Sequence, residues 1–349
     1  MSVDIIPSQS NFGESRWITS EDINVEHLLN IFTVVDANSD SVWGACEKFM
    51  HHLYWHKKRL TIIQPRIEGL PDDHPYKPRC LFHLSQLFVS VGNWVEQRRL
   101  LIHALKLQRE WGGGHQVAIS LRELSEVNRL MGLYEEGIEA VKEALGIFER
   151  LDDTTGQADC LIKLARLFCD DEKFDAAEEA ASRAISILPG KGEEHKVCNS
   201  HRALGEIYRS KGETEKAIHH YEVALGIASP FKWQDLLFWI HYSLACLFRG
   251  EGRLDEAQAH AEHAKSHTAC GAYYLGRVTE MQSELWYKQD RLEEAKSEAL
   301  RAADIYEKLG AAKDVEDCRD LLQRIERRLN GAPVASCQLE HNCEFLRSV

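Results

Sequence analysis

Small and hydrophobic residues recur along the middle of the chain in a unit of about 40 residues. The unit begins with a leucine, a small residue directly after it and an aromatic residue four positions after the leucine. The leucine and the aromatic residue share one helical face, because residues four apart stack on the same side of a helix. A turn follows, and then a second stretch carries small residues at helical spacing. Small residues let two antiparallel helices approach closely. The pattern predicts six helical hairpins, whose second helices align at Gln97, Gly137, Ala177, Ala217, Ala257 and Ala295.

The fourth unit shows the frame most completely, with Leu204, Gly205 and Tyr208 before the turn and Ala217 after it. This frame resembles the tetratricopeptide repeat, and the resemblance covers about residues 79–309. The unit length is similar to that of the arrays in kinesin light chain and in signalling NTPases. The resemblance implies an all-α fold, a right-handed superhelical solenoid of antiparallel helix pairs with terminal capping helices. Neighbouring pairs stack because one pair cannot bury its apolar face alone.

Two units depart from the frame at the turn between their helices. A glycine is expected there, because glycine adopts the left-handed cap at little cost. Glu172 and Asp290 hold that position in the third and sixth units. The sixth unit departs furthest, with Gln282 where a leucine is expected.

The flanking sequences predict elements that cap the array. Two apolar stripes at helical spacing predict a helix pair before the repeats, and another predicts a charged helix after them. Four prolines in between predict a stiff, extended connector. The predicted division is a disordered tail over 1–19, a helical pair over 20–64, a proline-rich connector over 65–78, six repeats over 79–309, a capping helix over 310–330 and a disordered tail over 331–349.

Composition narrows the class of protein. The chain has 42 Lys and Arg residues against 55 Asp and Glu residues, a formal net charge of -13. General nucleic-acid binding is disfavoured, because it requires surplus basic residues. No apolar run approaches the about 18 residues of a membrane span, and no secretory signal is visible. We expect a cytoplasmic protein with no nucleic-acid and no membrane partner.

The ten cysteines include no Cys-x-x-Cys pair. Disulfide frameworks belong to short secreted chains, so we expect free thiols that are buried as small hydrophobic residues.

Sequence motifs for chemistry are missing: no G-x4-G-K-[ST], H-E-x-x-H, G-x-S-x-G or G-x-G-x-x-G occurs. Two histidine groups are candidate metal ligands. One is His52 with His56, beside Cys46, and the other is His260, His263 and His267 at helical spacing. Both are interpreted as surface histidines, the second because it lies away from the small packing positions of its helix. We predict a non-enzymatic protein with no catalytic residue, no cofactor and no metal site.

A solenoid of helix pairs presents one stripe of each first helix as a concave groove. The same repeat position on this stripe holds Arg129, Arg209 and Arg249. Guanidinium groups bind carboxylates through two hydrogen bonds, so we predict that the groove binds a protein or peptide segment, acidic in character. The predicted partner-binding residues are Arg79, Arg122, Arg129, Lys163, Arg166, Asn199, Arg202, Arg209, Trp239, Tyr242 and Arg249.

Two alternatives remain open. The arginines could pair within the groove, Arg122 with Glu126 and Arg202 with Glu206, since residues four apart face each other on a helix. Residues 81–88 and 219–226 also make the chain similar to the repeat arms of fungal NACHT and NB-ARC signalling NTPases. That resemblance implies a regulatory or sensor arm working with an NTPase on another chain, and co-purification with such an ATPase separates the two hypotheses.

Overall fold

The computed structural model describes residues 64–65, 67–74, 77–89, 93–188, 192–268, 271–309 and 311–330. Within these ranges the chain forms thirteen α-helices and no β-strand. The helices are α1 (Lys77–Val89), α2 (Trp94–Glu110), α3 (Gly114–Leu130), α4 (Tyr134–Arg150), α5 (Thr154–Asp170), α6 (Phe174–Ile187), α7 (Glu194–Ser210), α8 (Thr214–Phe231), α9 (Gln234–Gly250), α10 (Leu254–Ser266), α11 (Ala272–Lys288), α12 (Leu292–Leu309) and α13 (Ala312–Leu329).

The helices pair as consecutive hairpins that stack in chain order. Helix α1 packs against α2, α3 against α4, and the pattern continues to α11 against α12. Each second helix also contacts the first helix of the next pair. The first helices α3, α5, α7, α9 and α11 contact one another in succession, which places them along the inner wall of the array. The predicted all-α solenoid is confirmed.

Aromatic side chains of second helices fill gaps left by glycines on first helices. Tyr221 and Tyr306 are fully buried. A Cβ atom added at Gly205 would lie 2.6 Å from the Tyr221 ring, and one added at Gly276 would lie 2.7 Å from the Tyr306 ring. These distances leave no room for a side chain, so glycine is needed at both positions for the two helices to approach.

The turns within the second to sixth hairpins each place one residue in the left-handed region. Gly132 and Gly212 do so with φ of 74° and 75°. Glu172 and Asp290, where the frame expects glycine, adopt the same conformation with φ of 58° and 63°. A residue with a side chain pays about 1–2 kcal/mol in this region. The third and sixth hairpins therefore keep the common turn geometry at an energetic cost.

Residues 67–74, before the first hairpin, form a short helical stretch followed by turns and are not the extended connector that the prolines predict. The His74 N–H donates to the Pro71 carbonyl at 3.0 Å. The buried Lys77 ammonium group donates to the Leu70 carbonyl at 2.5 Å and to the Asp72 carboxylate at 2.7 Å. These bonds fold the segment back onto the start of α1, which begins at Lys77, inside the range predicted for the connector.

Helix α13 covers the far end of the array. It packs against α12 and contacts α11. Its buried stripe of Val315, Cys318, Leu321 and Ile325 faces the last hairpin. At the other end, residues 1–63, which include both the predicted N-terminal tail and nearly all of the predicted helical pair, lie outside the described residues, as does the predicted tail over 331–349.

The cysteines of the described residues are free and buried, which confirms the expectation for those six. Burial raises the pKa of the Cys160 and Cys169 thiols to about 12. Because the thiolate is the reactive form, we expect iodoacetamide at neutral pH to leave both unmodified in the folded protein and to modify both in urea. Peptide mass spectrometry measures this, and equal labelling in the two conditions would contradict the buried placement.

Candidate partner-binding surface

An alternating row of charges runs across the inner wall. Glu126, Arg166 and Glu206 hold the same repeat position on α3, α5 and α7. Arg166 Nη1 lies 3.2 Å from Glu126 Oε1, and Arg166 Nε lies 3.9 Å from Glu206 Oε2. Opposite charges thus meet at each junction between these hairpins. With their neighbours they form what we call the central charge network: Glu126, Arg129, Lys163, Arg166, Asp170, Arg202 and Glu206.

Glu126 is shared by three cations. Its carboxylate lies 2.8 Å from Arg129 Nη2 and 3.2 Å from both Lys163 Nζ and Arg166 Nη1. Burial raises the pKa of such a group, but the three cations hold the pKa of Glu126 well below its ordinary value. Glu126 is therefore ionised, and no one of these cations is indispensable for its charge.

Arg129 is the most deeply buried cation of the central charge network. Only 2% of its side chain is exposed, and its Nη1 donates to Asp170 Oδ2 at 2.6 Å. Burial disfavours the charged guanidinium, yet Glu126 and Asp170 raise the pKa of Arg129 above its ordinary value. Burial raises the pKa of Asp170, and Arg129 opposes that rise. This pair ties α3 to α5, so Arg129 lies inside the wall rather than on its surface.

Arg166 is less well compensated than Arg202. Arg202 donates to Glu206 at 2.5 Å and to Asn199 at 2.9 Å, which confirms the predicted pairing of Arg202 with Glu206. The buried Arg166 Nε has no hydrogen-bond acceptor among the described residues. Burial, and then repulsion by Arg129, lower the pKa of Arg166. Arg166 thus lacks, at Nε, the kind of hydrogen bond that the Arg202 guanidinium makes to Asn199.

A second row lies one to three turns nearer the N-termini of the same helices. Arg122 Nη1 and Lys196 Nζ each lie 2.8 Å from the Asp159 carboxylate, so one acid bridges three hairpins. Arg122 also contacts Glu123 at 3.1 Å. The predicted pairing of Arg122 with Glu126 is wrong, because Glu126 is already held by three other cations.

Aromatic residues join the charges on α9 and α11. The Trp239 ring lies 5.9 Å from that of Tyr242 and 5.7 Å from that of Tyr274. Tyr242 is only 4% exposed. Arg249 of the same helix pairs with Glu284 on α11. On these two helices the inner wall thus carries aromatic side chains beside its paired charges.

The structure brings most of the predicted groove residues together on neighbouring first helices. Arg79 lies on α1, away from the central charge network, and Arg209 lies at the end of α7. Sequence reasoning missed Lys196, which lies three residues before Asn199 and one turn nearer the start of the same stripe. It also missed Arg277, which is 3% exposed and lies 5.3 Å from the Tyr242 ring centre. Whether these residues bind a partner stays a prediction.

Comparison with known proteins identifies repeats of a known kind in this chain. Sequence profiles described as "Tetratricopeptide repeat" match residues 116–190 and 200–231. The chain is 23% identical over 278 residues to Protein KINESIN LIGHT CHAIN-RELATED 1 of Arabidopsis thaliana. That match covers 73% of this chain and 44% of the relative, so the chain spans less than half the relative's length.

Three solved structures share the fold. A Rap protein complexed with Competence and Sporulation Factor is 14% identical with a TM-score of 0.56, covering 88% of this chain and 92% of that one. The apo quorum sensor NprR from B. thuringiensis is 12% identical with a TM-score of 0.54, covering 87% and 92%. A Pyrococcus horikoshii STAND protein with a tetratricopeptide repeat sensor is 17% identical with a TM-score of 0.52, covering 90% and 50%. At such identities the likeness shows the fold alone. None of the described helices combines the length and apolar character needed to cross a bilayer.

Proposed function

Because the hairpins carry tetratricopeptide repeats, a fold of protein–protein interaction, we propose that the chain is a non-enzymatic module that binds an acidic segment of a partner protein on its concave surface. One observation carries the proposal: basic side chains outnumber acidic ones on the inner faces of α3, α5 and α7, although the whole chain has a net charge of -13. The basic ones are Arg122, Lys163, Arg166, Lys196, Arg202 and Arg209, and the acidic ones are Glu123, Glu126, Asp159 and Glu206; the buried pair of Arg129 and Asp170 adds one of each.

Two lysines are placed to meet an incoming carboxylate. The side chains of Lys163 and Lys196 are 20% and 18% exposed, so both reach the surface of the groove. Each pairs with a carboxylate that has other cationic partners: Arg129 and Arg166 also hold Glu126, and Arg122 also holds Asp159. A partner's carboxylate could therefore bind either lysine without leaving a buried acid of this chain uncompensated.

The fold neighbours support a binding role in general terms. One is complexed with Competence and Sporulation Factor, and two are described as a quorum sensor and as a protein with a repeat sensor. We take from them only the role of binding another molecule; the acidic character of the partner rests on the groove residues above.

The test uses the double variant Lys163→Gln/Lys196→Gln and short fluorescein-labelled peptides rich in Glu, with Gln-substituted peptides of the same sequence. Fluorescence polarisation at low salt measures the affinity. We expect the unsubstituted chain to prefer the Glu peptides and the variant to bind them about tenfold more weakly, the effect of about 1.4 kcal/mol. Added salt should reduce the preference, because partly exposed charges are screened.

The matched control is Arg183→Gln/Lys308→Gln, which removes two exposed cations from second helices, 53% and 74% exposed. It lowers the net charge by the same amount and should leave the affinity unchanged. An equal loss in both double variants would mean that overall charge, not the groove, attracts the peptides. No preference for Glu over Gln would overturn the acidic-partner proposal.

A second candidate function is a regulatory or sensor arm for a signalling NTPase. The P. horikoshii neighbour supports it, because its described sensor is built from the same repeat and this chain spans 50% of it. Purification with a bound ATPase, lost in the groove variant, would favour this candidate over a general interaction module.

A further inference from the structure

Two histidine pairs join the helices of the fourth and fifth hairpins. His201 Nδ1 on α7 lies 3.1 Å from His220 Nδ1 on α8. His241 Nδ1 on α9 lies 3.0 Å from His260 Nδ1 on α10. All four rings are partly buried. We call these two contacts the histidine pairs; neither belongs to the central charge network.

The histidine pairs are copies of one arrangement. His241 and His260 follow His201 and His220 by 40 residues each, the length of one repeat. In each copy the second histidine stacks on the aromatic residue of the repeat frame. The His220 and Tyr208 ring centres lie 5.3 Å apart at an interplanar angle of 6°, and the His260 and Phe248 ring centres lie 5.3 Å apart at 16°. The third hairpin has Leu161 and Ala180 at the two histidine positions and lacks the contact.

The geometry is that of a hydrogen bond between two neutral rings. The His201 and His220 ring centres lie 5.4 Å apart, about the nitrogen separation plus a ring radius on each side, so the two Nδ1 atoms point at each other. The second pair has the same form, at 5.3 Å. One ring donates N–H and the other accepts. A metal between nitrogens so aimed would need them about 4 Å apart, since each bond is about 2.0–2.1 Å long. No metal-binding group of three or more ligands occurs among the described residues.

We propose that the histidine pairs make the fourth and fifth hairpins the acid-sensitive part of the solenoid. When both rings of a pair are protonated, both Nδ1 atoms carry hydrogen and both rings carry positive charge. The hydrogen bond is then lost and the rings repel each other, which separates α7 from α8 and α9 from α10. This inference goes beyond partner binding and does not depend on it.

The charged groups around each pair oppose protonation of its rings in the folded state. His219 on α8 and the Glu178 carboxylate on α6 face the first pair, and Lys216 lies over the Tyr208 ring at 5.0 Å. His263 and Glu256 on α10 and His267 just after it face the second pair, and Arg253 lies over the Phe248 ring at 4.4 Å. Each environment holds more potential positive than negative charge, so added protons are disfavoured in the folded state.

The histidine pKa values support this direction. Burial, followed by neighbouring imidazoles, lowers the pKa of His220 to about 4 and that of His241 to about 3. A histidine in the unfolded chain has a pKa of about 6.5, so the unfolded chain takes up protons first as the pH falls. The stability of these hairpins is therefore intact above about pH 6.5 and decreases from there toward pH 4 and 3.

The experiment is amide hydrogen exchange on the full chain at pH 7 and at about pH 5, corrected for intrinsic exchange rates. Between pH 7 and pH 5 we expect the opening equilibrium of α7–α10 to increase about tenfold more than that of α3–α6. A tenfold change is the effect of a shift of one pKa unit at one imidazole. In His220→Gln/His260→Gln the amide keeps a hydrogen-bonding group without a titrating charge, and this excess should fall; the part that burial alone causes at His201 and His241 remains. His201→Gln/His241→Gln tests the same contacts from the other helix, should the first variant fold poorly.

The control is His115→Gln, which removes a 54% exposed imidazole near Asp153 and outside both pairs. It should keep the full acid response of α7–α10. Equal acid responses in α3–α6 and α7–α10 would overturn the proposal, as would a response that survives undiminished in both double variants.

Discussion

Replacing Arg129 by methionine is expected to lower the free energy of unfolding by about 3–5 kcal/mol, the usual cost of removing one partner of a buried ion pair. The reason is Asp170, whose side chain is 2% exposed and receives the Arg129 Nη1 donor at 2.6 Å. Without Arg129 this carboxylate stays buried with its main cation gone. Glu126 suffers less, because Lys163 and Arg166 still hold it.

Urea unfolding followed by helical circular dichroism measures the effect. Asp170→Asn combined with Arg129→Met should lose less stability than the sum of the single variants, since the double variant leaves no unpaired buried charge.

The pKa of Asp170, already raised by burial, rises further once Arg129 is gone. The deficit of Arg129→Met should therefore be largest at neutral pH and shrink as acid protonates Asp170. Arg183→Met, which removes an exposed cation, should change stability by less than about 1 kcal/mol. An equally small change for Arg129→Met would contradict the buried pair.

The change Gly205→Ala is expected to destabilise the chain by about 1–3 kcal/mol, the range for overpacking a filled core. The new methyl group would lie 2.6 Å from the ring of Tyr221, which is fully buried and has no space to move into. The two helices of the fourth hairpin must then separate. This cost exceeds the gain of about 0.5–1 kcal/mol that alanine brings over glycine within a helix.

Gly226→Ala is the matched control on α8. No atom lies within 4 Å of the Cβ that it would add, so only the helical preference remains. It should stabilise the chain by about 0.5–1 kcal/mol. Opposite signs for the two substitutions in urea unfolding would establish that packing against Tyr221, not helix propensity, requires glycine at 205. Stabilisation by both would show that the hairpin tolerates a wider separation.

The fold was predictable because its signal is repeated. The leucine, small and aromatic positions of one hairpin specify only a helix, but their return every 40 residues specifies the stacking as well. The turns were predicted less completely. Glu172 and Asp290 looked like departures, yet both adopt the left-handed conformation of the glycines, because packing of the flanking helices fixes the turn.

The location of the groove residues was predictable from the sequence, but their ion-pair partners were not. Repeat position placed Arg129 and Arg166 on the inner wall, and it could not show that one is buried against Asp170 while the other lacks an acceptor at Nε. Those differences arise from residues on neighbouring hairpins, about 40 positions away. Arg277 was missed because the last spacing is 38 residues, which shifts its place in the frame to that of Trp239.

The alternation of Glu126, Arg166 and Glu206 has a consequence for how the chain can evolve. Repeat arrays usually gain or lose whole units, because each unit contacts only its neighbours. Excision of the third unit here would bring Glu126 beside Glu206, two acids with no base between them. Loss of two adjacent units would not place these two acids side by side. The charges in the middle of the array thus restrict which units can be neighbours, a restriction that the shared hydrophobic positions do not impose.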